Sequence, residues 1–238
     1  MRERYGIDAP GIVRLFAVLG VVLAALSTAF FALTDAWWGA VLGALSGLSA
    51  ITFLVQCGWM LYSSLAGKRL LWSRTLRGLG LHGDERVLEV GPGRGAVLVA
   101  AARMMPAGHL VGVDIWRAQD QSGNGADALL ANVRAAGVAD RVEALDGDMR
   151  KLPFPDDSFD LALASLAIHN LPAADRAGAV AELLRVVRPA GHIVILDFQA
   201  TAGYAGTLRD GGADVEVSGR HWSMHPPVRI VTATLPAE

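Results

Sequence analysis

Residues 87–95, VLEVGPGRG, place glycine at positions 91, 93 and 95 directly after a run of β-branched and apolar residues. A strand that ends in such a turn and opens a helix brings bare backbone against a nucleotide-like ligand, with the helix N-terminus turned toward its charge. The string Gly91-Pro-Gly93-Arg-Gly95-Ala96 satisfies the dinucleotide pattern with Ala in the last place. Asp114 stands at the end of the next predicted strand, at an interval suited to an acid that accepts hydrogen bonds from both hydroxyls of a ribose. On this string alone an NAD-dependent oxidoreductase and a protein using another adenosine cofactor remain open.

The elements that must position these residues follow from the hydrophobic pattern. Apolar strand candidates at 86–91, 109–115, 142–146, 159–166 and 191–198 are separated by helical stretches at about 94–105, 124–137 and 174–188. Strands alternating with helices argue for parallel pairing through crossovers, hence an α/β doubly wound, Rossmann-like sheet. After a short helix near 201–211, two strand-like runs, 213–219 and 228–235, follow without an intervening helix and predict an antiparallel pair at one edge, seven strands in all. Pro226-Pro227 marks the loop between them.

Three features carry a resemblance to the class I S-adenosylmethionine-dependent methyltransferases, close to the ubiquinone and menaquinone C-methyltransferase branch. They are Glu89, two residues before Gly91; Asp148-Met149 within DGDMRKLPFPDDSFD; and the closing phrase LLRVVRPAGHIVILDF, which resembles the family's helix, Pro-Gly turn and fifth strand. The likeness covers about residues 76 to 200. It implies S-adenosylmethionine as cofactor and no metal. By resemblance the Gly91, Gly93 and Gly95 loop lies under the methionine moiety with Glu89 near its amino group, and Asp114 takes the ribose. Ile115 packs on adenine, Asp148 accepts from the exocyclic amine, and the Met149 amide faces a ring nitrogen. Each also has a plainer role: Glu89 bracing the loop, Asp114 capping a helix, Asp148 shaping a turn.

By the same resemblance the fourth strand ends in Ser165, a further cofactor-binding residue, where the family faces the transferred methyl group, and His169 and Asn170 follow it. His169 is the candidate general base, because an imidazole titrates near neutrality; Asn170 and Tyr204 are candidate substrate contacts. Alignment alone suffices for an acceptor that is already nucleophilic, and a histidine bonded to backbone is the rival for His169. Asp197, His221, Trp222 and His225 border the same predicted region. The polar segment Trp116 to Asn124, which includes Gln119, Asp120, Gln121 and Ser122, is longer than a plain strand-to-helix turn. It either folds over the ligand or lets Ser122 or Asn124 cap the next helix.

The first part of the chain has a different composition. Between Ile12 and Leu33 only Arg14 is charged, and none of the residues from Trp37 to Tyr62 is. Each stretch reaches the roughly 20 residues that cross a bilayer. With Thr34-Asp35-Ala36 between them they predict a transmembrane hairpin, residues 1–62, with spans at about 12–33 and 37–62. A cleaved signal peptide fits poorly, since the apolar run is too long and a second follows at once. Gly39, Gly43 and Gly47 form a face that admits close approach of the first helix. Arg2, Arg4 and Arg14 before the hairpin, and Lys68, Arg69, Arg74 and Arg77 after it, predict that both termini and the 82–238 domain are cytoplasmic. The 63–81 linker reads either as an amphipathic helix in the headgroup layer or as the first helix of the domain.

A net charge of -2 among 238 residues, with no basic stripe in the domain, argues against nucleic acid as a partner. The single cysteine, Cys57, excludes a disulfide within the chain. The reading that unites these features is a membrane-anchored methyltransferase, of the general class EC 2.1.1.-, acting on a small hydrophobic or lipid-like acceptor. The alternatives are a non-catalytic S-adenosylmethionine-binding membrane module and, on the glycine pattern alone, a NAD-dependent oxidoreductase, which would lack a Tyr-x-x-x-Lys pair. Deleting residues 1–62 is expected to leave cofactor binding intact. Neither the acceptor atom nor the oligomeric state is fixed by any motif.

Overall fold

A computed structural model describes residues 3–117 and 121–237. Arg2 lies outside the described residues, as do Gln119 and Asp120 of the polar segment.

Helix α1, Pro10–Leu33, begins with proline at its first position, where a missing N–H costs nothing. Helix α2, Trp37–Tyr62, returns alongside it. The glycine face is where they meet: a Cβ at Gly43 would stand 2.8 Å from the Phe31 ring, and the Ser27 hydroxyl donates to the Gly43 carbonyl at 2.7 Å. Both helices are long and apolar enough to cross a membrane, and their outer surface exposes Leu15, Val18, Leu45 and Leu48.

No loop separates this hairpin from the domain. The helical path continues through a π-helical turn, Ser63–Gly67, into α3, Lys68–Arg77. Leu71, Trp72 and Leu76 of α3 are buried in the core of the sheet, while Leu65 and Leu70 are exposed. The same leucines that could have faced a headgroup layer therefore also supply a core-facing stripe, and packing uses part of them.

Seven strands follow: β1 Arg86–Val90, β2 His109–Asp114, β3 Val142–Asp146, β4 Phe159–Ser165, β5 Val187–Asp197, β6 Asp214–Val217 and β7 Arg229–Thr234. Their order across the sheet is β3-β2-β1-β4-β5-β7-β6. The first five pair in parallel, whereas β7 runs antiparallel between β5 and β6. The crossovers are α4 Ala96–Met104, α5 Ala126–Ala136, α6 Arg176–Val186 and α7 Thr201–Asp210. Alternation along β1 sends Val87 to one core and Leu88 and Val90 to the other, so both faces of the sheet are covered.

The predicted turn around Pro189 to Gly191 is absorbed into β5. Val187 pairs with Phe159 and His192 with Leu161, a register irregularity that accommodates the proline without ending the strand.

Candidate active site

The carboxyl ends of the parallel strands open on a cavity of about 570 Å³, the size of an ordinary small-ligand pocket. It lies where β1 and β4 diverge, the point at which strand order reverses. Gly91 and Gly93 line it with φ of 67° and 53°, values that favour glycine. A Cβ on Gly91 would sit 2.4 Å from the Ala167 side chain, and one on Gly93 2.6 Å from Gln121 Oε1. The loop is bare because its surroundings leave no room for anything else.

Glu89 lines the cavity while almost wholly buried, and its Oε2 has no hydrogen-bond partner. Burial pushes its carboxyl up to about 8, against the opposing pull of Lys68 and the Leu98 amide. Lys68, at the start of α3, reaches into the same space and holds Asp8 at 2.6 Å between Nζ and Oδ2. Asp8 precedes α1 and Lys68 follows α2, so one ion pair, buried on the Lys68 side and partly exposed on the Asp8 side, clasps both ends of the hairpin at the cavity wall.

At the opposite wall Asp114 closes β2. One of its carboxylate oxygens accepts from the Gly93 amide at 3.0 Å and the other from the Trp116 amide at 2.8 Å. Ile115 lines the cavity and is 45% exposed, which leaves an apolar face open to a flat ring. Met149 also lines it, whereas Asp148 does not: its carboxylate turns to Arg150, whose guanidinium holds it below the usual carboxylate range. An Asp148 contact to an adenine amine therefore requires that ion pair to open or to share its oxygens.

Gln121 and Asn124 of the polar segment after β2 lie against the glycine loop at Gly93. Gln121 accepts from the Arg94 amide at 2.8 Å and donates to Asp8 at 3.1 Å. Asn124 and Gln121 line the cavity, and the N-cap of α5 is Gly125, with no side-chain cap, so neither Ser122 nor Asn124 caps it. The Ser122 hydroxyl instead accepts from the Ile7 amide, and Asn132 bonds both backbone groups of Arg4. Residues 3–8 thus form a strap across the site. Sequence reasoning missed Asp8, Lys68 and this strap, because nothing in their local pattern places them beside a loop that begins more than 20 residues later in the chain.

At the end of β4, Ser165 accepts from buried Trp72 Nε1 at 2.8 Å, and Leu166 with φ 54° turns the chain. The turn delivers Ala167, His169, Asn170 and Leu171 to the cavity. His169 Nδ1 lies 3.0 Å from Oδ1 of fully buried Asp197, and its ring sits 4.6 Å from the Phe198 ring. Arg176 braces this turn by donating to the His169 and Leu171 carbonyls. Tyr204 is placed elsewhere: it is buried beneath the site, away from the cavity lining, with its hydroxyl 3.3 Å from Asp197 Oδ2. It supports Asp197 from behind and touches no ligand space, since α7 packs its ring under the sheet end. His221 bonds Ser218 near the sheet edge, and Trp222 stacks on Trp59; of this group only His225 lines the cavity.

Comparison with known proteins bears on what the cavity holds. Residues 88–195 match the family model described as a methyltransferase domain. Over these residues, somewhat less than half of the chain, the protein is similar to class I S-adenosylmethionine-dependent methyltransferase domains. The ubiquinone/menaquinone biosynthesis C-methyltransferase of Pseudomonas entomophila is 33% identical over 134 residues, 56% of this chain and 49% of that one. The chain therefore spans about half the length of the curated relatives it matches. A SAM-dependent methyltransferase from Aquifex aeolicus shares the fold with a TM-score of 0.58 at 20% identity, covering 76% of this chain and 98% of that chain. A sarcosine dimethylglycine methyltransferase, so described as putative, from Galdieria sulphuraria gives 0.59 at 14% identity over 75% and 88%.

The cofactor of the methyltransferase domain is S-adenosylmethionine, and the residues present fit it. The orphaned Glu89 oxygen suits an ammonium, Lys68 a carboxylate, Asp114 a ribose diol, and the bare glycine turn the chain between them. Among the described residues no cluster of His, Cys, Asp or Glu could hold a metal ion.

Proposed function

We propose that the protein is a membrane-anchored S-adenosylmethionine-dependent methyltransferase acting on a small hydrophobic or lipid-like acceptor at the cytoplasmic face. The observation that carries this reading is the seating of the domain directly on the hairpin, with Asp8 and Lys68 joining the hairpin's ends inside the cofactor cavity. A hairpin used only as a tether would need no such contact.

The apolar surface of α1 and α2 is larger than a protein in water exposes without a partner. Trp37 and Trp38 lie at its tip, and Trp59, Tyr62 and Trp222 at its base. Aromatic residues at both ends of an apolar band match a bilayer's two interfaces. At about 1.5 Å per residue, α1 and α2 are each longer than the roughly 30 Å hydrocarbon core. The relatives' named role in ubiquinone/menaquinone biosynthesis agrees with a hydrophobic acceptor.

When bound, the cofactor supplies an electrophilic methyl group on sulfur. The chain's part is to place an acceptor in line with it, exclude water and receive a proton where the acceptor has one to lose. Glu89, Lys68 and Asp114 fix the cofactor's two polar ends, Phe198 and Leu171 give the acceptor an apolar wall, and His169, with its Nδ1 3.0 Å from Asp197 Oδ1 but not aligned to bond it at rest, takes the proton at Nε2. Tyr204 and the Phe198 amide hold the Asp197 carboxylate in place.

The test is transfer of labelled methyl from S-adenosylmethionine to native membranes by the purified protein, with Asp114→Ala as control. Label in the organic extract that vanishes in the variant is the expected result. Label confined to aqueous or protein fractions would overturn the lipid-like acceptor, and cofactor binding with no transfer to any fraction would favour a non-catalytic module.

A further inference from the structure

The cavity that holds His169 and Phe198 is also lined by Ala9, Ile12, Phe16, Met60, His225 and Pro226. The first four belong to the base of the hairpin and the last two to the β6–β7 loop. Those elements are held together firmly: the Ser63 hydroxyl accepts from the His225 amide at 3.1 Å, and Trp59 donates to the Trp222 carbonyl and meets the His225 ring edge at 4.8 Å. Gly67 lies so close to the Ser223 carbonyl that a Cβ would fall 2.1 Å from it.

Ile12 and Phe16 are one helical turn apart and share a face of α1. Phe16 also packs on Phe53 of α2, with ring centroids 5.5 Å apart, and Val13 beside it is buried, its carbonyl accepting from the Cys57 thiol, so the wall lies where α1 meets α2. Ile12 is 47% exposed, so this part of the cavity wall is also outer surface of the hairpin. Leu15, three residues on from Ile12, is exposed beside it.

We infer that this extension binds the apolar tail of the acceptor, which enters sideways from the bilayer at the first two turns of α1 and brings its polar head to His169. The inference rests on the methyltransferase reading of the same cavity. An alkyl or isoprenoid tail is the class that fits, because this part of the lining is aliphatic and aromatic and its exposed member, Ile12, belongs to a helix long and apolar enough to cross a membrane. A water-borne acceptor would have no use for a pocket wall built from the outer face of a membrane helix.

The experiment uses the full chain in lipid nanodiscs with a long-tailed hydroquinone carrying a diazirine in its tail. After illumination, adducts are mapped by mass spectrometry. Adducts are expected at Ile12, Phe16 or Met60, displaced by unlabelled long-tailed hydroquinone and not by the tailless ring. Ile12→Trp, which fills the mouth from an exposed position, should lower them about tenfold while S-adenosylhomocysteine affinity stays within twofold. Phe16→Leu is the second variant, opening the pocket without adding bulk.

Adducts spread evenly over Leu45, Leu48 and the rest of the hairpin, without competition, would mean simple partitioning and would overturn the inference. So would adducts confined to the Asn170 side. If methyl label still reaches membrane lipid in those cases, the function stands and only the entry route falls. Competed adducts at the hairpin base with no methyl transfer would leave the tail site standing and reject the activity.

Discussion

Glu89→Gln separates a ligand-binding carboxylate from one that braces the loop. Glu89 is fully buried, and desolvation raises its carboxyl from an ordinary value of 4.5 to about 8. The folded protein therefore keeps this proton between those two values, where the unfolded chain has released it. The group's contribution to stability is greatest below about pH 4.5 and is lost as pH rises toward 8. At pH 7 the loss is about 3 kcal/mol at 1.36 kcal/mol per pH unit. Glutamine keeps the shape and removes the titration, so apo Glu89→Gln should melt above wild type by about 6–12 °C at pH 7, with the two converging near pH 4.5. Binding shows the opposite effect. S-adenosylhomocysteine, whose ammonium would meet Glu89 Oε2, should release nearly one proton at pH 7, read by calorimetry in buffers of different ionisation enthalpy. Its affinity should rise with pH up to about 8, and the glutamine variant should lose about 10- to 100-fold together with the proton release, as expected for one charge-assisted hydrogen bond. A variant that melts lower than wild type at pH 7 and binds equally well would refute the argument and make Glu89 a structural brace.

Other consequences follow from the same geometry. His169→Gln should lower kcat about a hundredfold with S-adenosylhomocysteine affinity unchanged, and Asp197→Asn should do so to a lesser extent; a kcat within threefold of wild type in both would assign the turn to alignment alone. Removing residues 1–8 takes away Asp8 and the strap over Gln121 and Ser122, so cofactor affinity should fall about tenfold by calorimetry, contrary to the expectation that the hairpin region is dispensable for binding. Trp72→Phe deletes the bond to Ser165 within the core and should cost about 1 kcal/mol for that bond alone, seen as a lower melting temperature with little change in KM for the cofactor.

The strand and helix order was legible from the amino-acid sequence because hydrophobic period is a local property: β1 through β4, the edge pair and both apolar helices lie within a few residues of where the pattern puts them. The glycine loop was legible for the same reason, since the requirement for bare backbone is written in consecutive residues. Asp148 and Tyr204 show the limit. Arg150 stands two residues after Asp148 in the same phrase, but only the side-chain geometry shows that it takes the carboxylate, and Tyr204 packs under Asp197 from a different element.

The sequence by itself determined the α/β sheet, the adenosine-type loop and two helices apolar enough to cross a membrane, because each follows from residue order over a few turns. Only the tertiary structure decided that the hairpin helps to build the site. That depends on Asp8, Lys68 and Met60 meeting Glu89 and His225 across long separations in the chain, where packing of the whole domain sets the distances.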